Sequence, residues 1–182
     1  MIYLFLANGF EEVEALCPLD LLRRAGLEVT TVGVGGSDLI VGSHGIAVQA
    51  DIPDAMFRDP APGMVILPGG MPGSKHLDES RVVESALRAC SAHGGYLAAI
   101  CAAPMVLGKR GYLQGKRATC YPGFESYLLG ATVTKARVVR DGTIITGAGM
   151  GVAHDFGLAL VEVWKGPEAA GDLRRGILAD LP

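Results

Sequence analysis

A chain of 182 residues, 49% hydrophobic and 19% charged, has the apolar content for one domain with a substantial core. A net charge of −3, with no Lys/Arg block longer than two residues, argues against a nucleic-acid-binding face. No apolar stretch approaches the ~20 residues that span a bilayer, so no membrane partner is expected.

In chain order, Ile2–Ala7 is a short apolar run ending at Asn8-Gly9, which predicts a buried strand and a turn. Glu11–Arg24 has helical spacing, with acids in its first turn, Arg23-Arg24 in its last and Gly26 as a stop. Pro18 interrupts it and predicts a kink or two abutting pieces. Leu27–Val34 is strand-like, and residues 35–51 read as a small hairpin excursion with turns at Gly35-Gly36 and His44-Gly45. Met64–Leu67 is a second buried strand, closing on Pro68-Gly69-Gly70. Ser80–Ala92 is an amphipathic helix, Tyr96–Ile100 a strand and Pro104–Arg110 a helix. Val138–Arg140 and Thr143–Thr146 flank Asp141-Gly142, a hairpin signal. Gly151–Trp164 repeats Val152, Phe156, Leu160 and Trp164 every four residues, and Glu168–Leu178 predicts a final short helix.

This alternation predicts an α/β fold, a mostly parallel sheet covered by helices on both faces, in a single domain over 1–182. Sites in such sheets form beyond the carboxyl ends of the strands. The apolar start lacks a basic region and is too short for a signal peptide. Cys17, Cys90, Cys101 and Cys120 form no CxxC pair. Reduced thiols in a cytoplasmic protein are the expectation. The four histidines are scattered, and no metal is expected.

Cys101 is the most informative residue. It ends an apolar strand and precedes Ala102-Ala103-Pro104, the pattern of a strand–turn–helix elbow in which only small residues fit after the nucleophile. The following helix would aim N–H groups and its positive end at the sulfur, lowering the thiol pKa. A buried, inert cysteine is the competing reading. In Glu11-Glu12-Val13-Glu14, the first two acids suit a helix N-terminus. Glu14 lies deeper, beside Ala15, Leu16 and Cys17, where burial would raise its pKa and let it shuttle a proton. Gly69-Gly70 is either an ordinary tight turn or a place where backbone N–H groups meet a ligand. Gly147–Gly151 lacks the Lys and Ser/Thr of a Walker loop and the spacing of a dinucleotide fingerprint. His44, His76, His93 and His154 read as surface or hairpin residues, and Cys120 as packing.

Asn8–Glu14, Leu67–Gly70 and Ala98–Pro104 occur in order and at the separations seen together in one family. On these motifs the chain resembles the ThiJ/PfpI superfamily, in its DJ-one-like branch, over essentially its whole length. The resemblance implies a flavodoxin-like three-layer α/β/α sandwich, usually a homodimer, with no cofactor. It implies Cys101 as the elbow nucleophile in a strained backbone conformation and Glu14 as the acid that bonds the sulfur. It implies an oxyanion site at the N–H groups of Gly70 and Ala102, with Gly69, Tyr121 and His44 bordering the substrate pocket. Tyr121 stands where the best-known members carry histidine. His44 replaces an arginine that some direct toward the neighbouring subunit's site, and Ala148 replaces another basic residue. Ala102 stands where the protease-like branch has histidine, and no downstream His–Glu pair suits an amidotransferase.

Two functions are expected from that resemblance. One is a cofactor-independent enzyme of small reactive carbonyls, converting methylglyoxal to lactate as a glyoxalase III does, with deglycation as a related activity. The other is a redox sensor or redox-dependent chaperone acting through oxidation of Cys101.

Overall fold

The computed structural model describes residues 1–179; residues 180–182, at the end of the expected single domain, lie outside the described residues. Its frame is set by short strands, β1 (Ile2–Ala7) buried along its whole length and β2 (Val29–Val34) buried except at Thr30. Their residues alternate between two cores, Tyr3, Phe5 and Ala7 toward one and Ile2, Leu4 and Leu6 toward the other. Apolar residues on both faces are what a parallel sheet covered on both sides requires.

Between β1 and β2 lies α1 (Glu12–Arg24). The excursion after β2 is the antiparallel hairpin β3 (Leu39–Val41) and β4 (Ala47–Gln49), followed by the two-residue edge strand β5 (Ile52–Pro53). β6 (Met64–Leu67), α2 (Gly73–Glu79), α3 (Arg81–Ala92), β7 (Tyr96–Ile100) and α4 (Pro104–Lys109) follow. The last third holds a short parallel pair, β8 (Arg117–Ala118) and β9 (Thr132–Val133), then the antiparallel pair β10 (Val138–Asp141) and β11 (Ile144–Gly147). It closes with α5 (Ala153–Lys165) and α6 (Pro167–Gly176).

The main sheet runs β10-β11-β7-β6-β1-β2-β5, parallel except for β10 against β11. Residues of α2, α3 and α4 fill the core on one face, and those of α1, α5 and α6 the core on the other. This is the expected three-layer α/β/α sandwich. Because β11, β7, β6 and β1 are parallel neighbours, their carboxyl ends lie side by side. The turn at Asn8-Gly9, the Pro68-Gly69-Gly70 loop, Cys101 and the loop after Gly147 therefore share one edge.

The expected division of α1 at Pro18 does not occur, and the helix runs unbroken from Glu12 to Arg24. Pro18 sits against α5 at Gly157, where a Cβ would lie 3.0 Å from the Pro18 Cα. Close packing of the two helices holds the turn that proline weakens. Trp164, the fourth of the expected apolar repeat, stays partly exposed, while Val152, Phe156 and Leu160 are buried. Sequence patterning missed α2, β5, β8 and β9, all of seven residues or fewer.

Candidate active site

Cys101 is where the buried strand β7 ends. Its φ of 64° lies in the left-handed region, which among the described residues only one other non-glycine residue, Leu178, shares. Such a conformation costs on the order of 1–3 kcal/mol and is held by its surroundings. Two backbone hydrogen bonds hold it here. The Cys101 N–H donates to the Gly147 carbonyl at 2.9 Å, and the Tyr121 N–H donates to the Cys101 carbonyl at 2.9 Å. The residues that follow, Ala102 and Ala103, are small and buried, as the elbow demands. The Gly70 and Ala102 N–H groups both act as donors to the sulfur.

Glu14 arrives from the first turn of α1 and is 1% exposed. Its Oε2 accepts from the Gly69 N–H at 3.0 Å, while Oε1 is buried without a conventional hydrogen-bond partner. The carboxyl interacts with the Cys101 thiol. The Glu11 N–H donates to the Gly69 carbonyl at 2.9 Å, fixing the start of α1 against the glycine loop. Gly69 is buried between the two functional groups, and a Cβ there would lie 2.3 Å from Glu14 Oε2 and 2.6 Å from Cys101 Cβ. Its place is thus between acid and thiol, and only glycine fits there. Gly70 needs glycine for its own reasons, a φ of 88° and backbone approach from Glu11 and Gly9.

The electrostatics depart from expectation at the sulfur. Burial pushes the Cys101 thiol up to about 12, and the Glu14 carboxylate adds to that push against the two N–H donors. The expected lowering by a helix dipole is overturned: α4 has six residues, starts three residues beyond Cys101, and is too short to offset desolvation. Burial likewise raises Glu14 to about 7, helped by the charge of Glu11 and opposed by the bonds to Cys101 and Gly69. The two groups titrate as a pair. Through neutrality Glu14 passes from acid to carboxylate while the Cys101 thiol keeps its proton.

Cys101, Glu14, Gly70 and Ala102 thus come together as the sequence predicts. Tyr121 stands at the rim, 51% exposed, linked to Cys101 through its N–H, with its ring against Gly149. His44 belongs to another cluster. The His44 N–H donates to Glu12 Oε1 at 2.8 Å, and its Nδ1 lies 2.8 Å from Glu12 Oε2 and 3.3 Å from Glu11 Oε2. Ser43 Oγ joins the same carboxylate at 3.4 Å. Glu12 is 4% exposed, so the reading of it as an ordinary acid at a helix start is corrected: it clamps the β3–β4 connection onto α1. Burial alone would raise the Glu12 pKa, yet the His44 ring and backbone bonds outweigh it and lower it to about 2. The bond to Glu12, then the charges of Glu11 and Glu12, raise His44. Glu11, Glu12 and His44 hold potential metal-ligand atoms within 4.8 Å of one another, the group among the described residues best placed to take a cation. Their ion pair and hydrogen bonds already satisfy them, and they read first as a clamp. No local signal could have revealed Glu12, whose partner is 32 residues away.

The other thiols lack this setting. Burial raises Cys17 to about 11, Cys90 to about 12 and Cys120 to about 11, and all three have ordinary backbone. No helix among the described residues is long and apolar enough to cross a membrane.

The sequence pattern of the DJ-1/PfpI family matches residues 1–163. Protein dj-1beta of Drosophila melanogaster is 38% identical over 175 residues, covering 95% of this chain and 94% of that protein. An isonitrile hydratase of Pseudomonas putida is 31% identical over 163 residues, 88% of this chain and 70% of that enzyme. Among solved structures, oxidized Toxoplasma gondii DJ-1 superposes with a TM-score of 0.93 at 33% identity, covering 97% of each chain.

Proposed function

The chain belongs to the DJ-1/PfpI family, and from that premise we propose that it is a cofactor-independent cysteine enzyme of small reactive carbonyls, turning methylglyoxal into lactate. The observation that carries the proposal is a buried carboxyl, raised to about 7, facing an elbow thiol that two backbone N–H groups also address. The family includes enzymes, among them the isonitrile hydratase of Pseudomonas putida.

The chemistry follows from one shared proton. The Glu14 carboxylate takes the Cys101 proton as the sulfur adds to the aldehyde carbon, forming a C–S bond and opening the C=O bond. The Gly70 and Ala102 N–H groups hold the developing oxyanion, and Glu14 returns the proton to it, giving a hemithioacetal. Glu14, again a carboxylate, then removes the hydrogen from that carbon and delivers it to the neighbouring one, while the hydroxyl proton passes to the neighbouring oxygen. The result is a lactoyl thioester on Cys101. Water cleaves the C–S bond, releasing lactate and restoring the thiol, with no external oxidant or reductant. Deglycation would instead have the Cys101 sulfur displace the amine of an aldehyde–amine adduct, the C–N bond breaking as Glu14 protonates the departing nitrogen, to give the same hemithioacetal. Tyr121 would orient the substrate carbonyl through its hydroxyl.

A redox role for Cys101 is the second reading. The structure of Toxoplasma gondii DJ-1, a 33% identical relative, is of an oxidized form. In this chain the same N–H groups would stabilise a sulfinate at Cys101. Purified protein with methylglyoxal, followed by product NMR beside a Cys101→Ser control, tests the enzyme. Lactate formation lost in the variant supports it. Absence of product, with sulfinic acid forming at Cys101 ahead of Cys17, Cys90 and Cys120 under graded peroxide, replaces it with the sensor.

A further inference from the structure

Ala148 opens more than it closes. Beside it lies a cavity of about 520 Å³, walled also by Thr119, Cys120, Glu125, Thr134 and Lys135. That volume falls in the range of small-ligand sites, and the cavity lies at the carboxyl edge of the sheet, one residue past the end of β11. Neither Cys101, Glu14 nor Gly70 lines it. The link to the elbow is Tyr121, between Cys120 and Pro122, whose N–H bonds the Cys101 carbonyl.

The polar groups of this cavity are underused. Thr119 is 1% exposed; its N–H donates to Thr146 Oγ1 at 2.9 Å, but its hydroxyl has no protein partner among the described residues. Glu125 accepts from the Gly123 N–H at 2.7 Å and forms no ion pair. Lys135 forms none either. A carboxylate and an ammonium, both reached by solvent, thus wall one cavity without pairing with each other. A hydroxyl with no protein partner is free to bond a ligand or water. The Glu125 charge also acts on the Cys120 thiol, which places both on the same space.

We infer that this cavity binds a small α-amino acid, its carboxylate on Lys135 and the Thr119 hydroxyl and its ammonium on Glu125. A zwitterion satisfies both charges at once, whereas a hydroxy acid or a simple amine leaves one of them unanswered. The inference does not rest on Cys101 chemistry. Cys120 reports occupancy, since a ligand seated there covers its sulfur.

The experiment is calorimetric titration of wild type, Cys101→Ser and Lys135→Ala with L-alanine, lactate and ethylamine. It is paired with mass spectrometry of Cys120 labelling by methyl methanethiosulfonate. L-alanine should bind saturably to wild type and Cys101→Ser and protect Cys120. Lactate and ethylamine should bind about tenfold or more weaker, and Lys135→Ala, a surface change, should weaken L-alanine by a similar factor. No saturable binding, equal binding of the three compounds, or unchanged affinity in Lys135→Ala overturns the assignment. Because Cys101→Ser keeps this site, failure here is distinguishable from failure of the carbonyl enzyme.

Discussion

Glu12 and Glu14 stand two residues apart on one helix, both almost wholly buried, yet one is lowered to about 2 and the other raised to about 7. Burial acts on both in the same direction, so their partners make the difference. Glu12 meets the His44 ring, a backbone N–H and a serine hydroxyl, all able to stabilise a carboxylate. Glu14 meets one N–H and a thiol that competes with it for a proton, and one of its oxygens has no conventional partner. Glu12 fastens a hairpin; Glu14 keeps a proton available near neutrality. Between them Val13 is 44% exposed.

The largest expected effect separates the two acids by function. Glu14→Gln keeps the shape but removes the proton carrier, and methylglyoxal turnover should fall by about 10²–10⁴. Glu12→Gln should leave turnover within a few-fold of wild type, on the order of 0.5–1 kcal/mol in barrier. Steady-state lactate production measures both, and comparable losses in the two variants would erase the distinction.

Stability should reverse the ranking. A raised carboxyl costs the fold nothing while protonated in both states, below about 4.5, and costs most above its folded pKa of about 7. Glu14→Gln should therefore gain up to roughly 3 kcal/mol at pH 8.5, with the gain fading as pH falls through 7 toward 4.5. Glu12 has the opposite sign: its contribution is full above about 4.5 and lost as pH falls toward 2. Glu12→Gln should lose about 1–3 kcal/mol at neutral pH. The His44 partner adds stability that is complete below its ordinary 6.5 and declines as pH rises through its raised folded value. Urea titrations across pH check all three signs.

Val13 sharpens the comparison from outside. We propose that the flank at Val13, Leu16 and Cys17 and the hairpin carrying His44 form a two-fold interface, placing His44 near the partner's site. Wild type should scatter light as a homodimer at micromolar concentration, and Val13→Arg should shift it toward monomer. A wild-type monomer contradicts the interface.

One half of this contrast, and the strands that carry the site, are readable in the chain itself. β1, β6 and β7 announce themselves as apolar runs that stop at Asn8-Gly9, Pro68-Gly69-Gly70 and Cys101. Glu14 stands out because an acid follows Val13 and precedes Ala15 and Leu16, a place where helix amphipathicity predicts an apolar side chain. What was not readable is set by distance in sequence. Nothing local ties Glu12 to His44, or tells that desolvation at Cys101 would outweigh the N–H groups aimed at it. Gly69 reads as a turn residue until Glu14 and Cys101 close on both sides of it. The short elements α2, β8 and β9 lack the length to carry a periodic signal.

The shared proton is tested most directly by the pH dependence of Cys101 alkylation with iodoacetamide, followed by peptide mass spectrometry in wild type and Glu14→Gln. If Glu14 is the base that accepts the thiol proton, the wild-type rate rises with pH through an inflection near 7, where Glu14 becomes a carboxylate. In Glu14→Gln that inflection disappears, and reactivity rises only at distinctly higher pH. Superimposable profiles for the two proteins would contradict the account, because Cys101 would then ionise without Glu14.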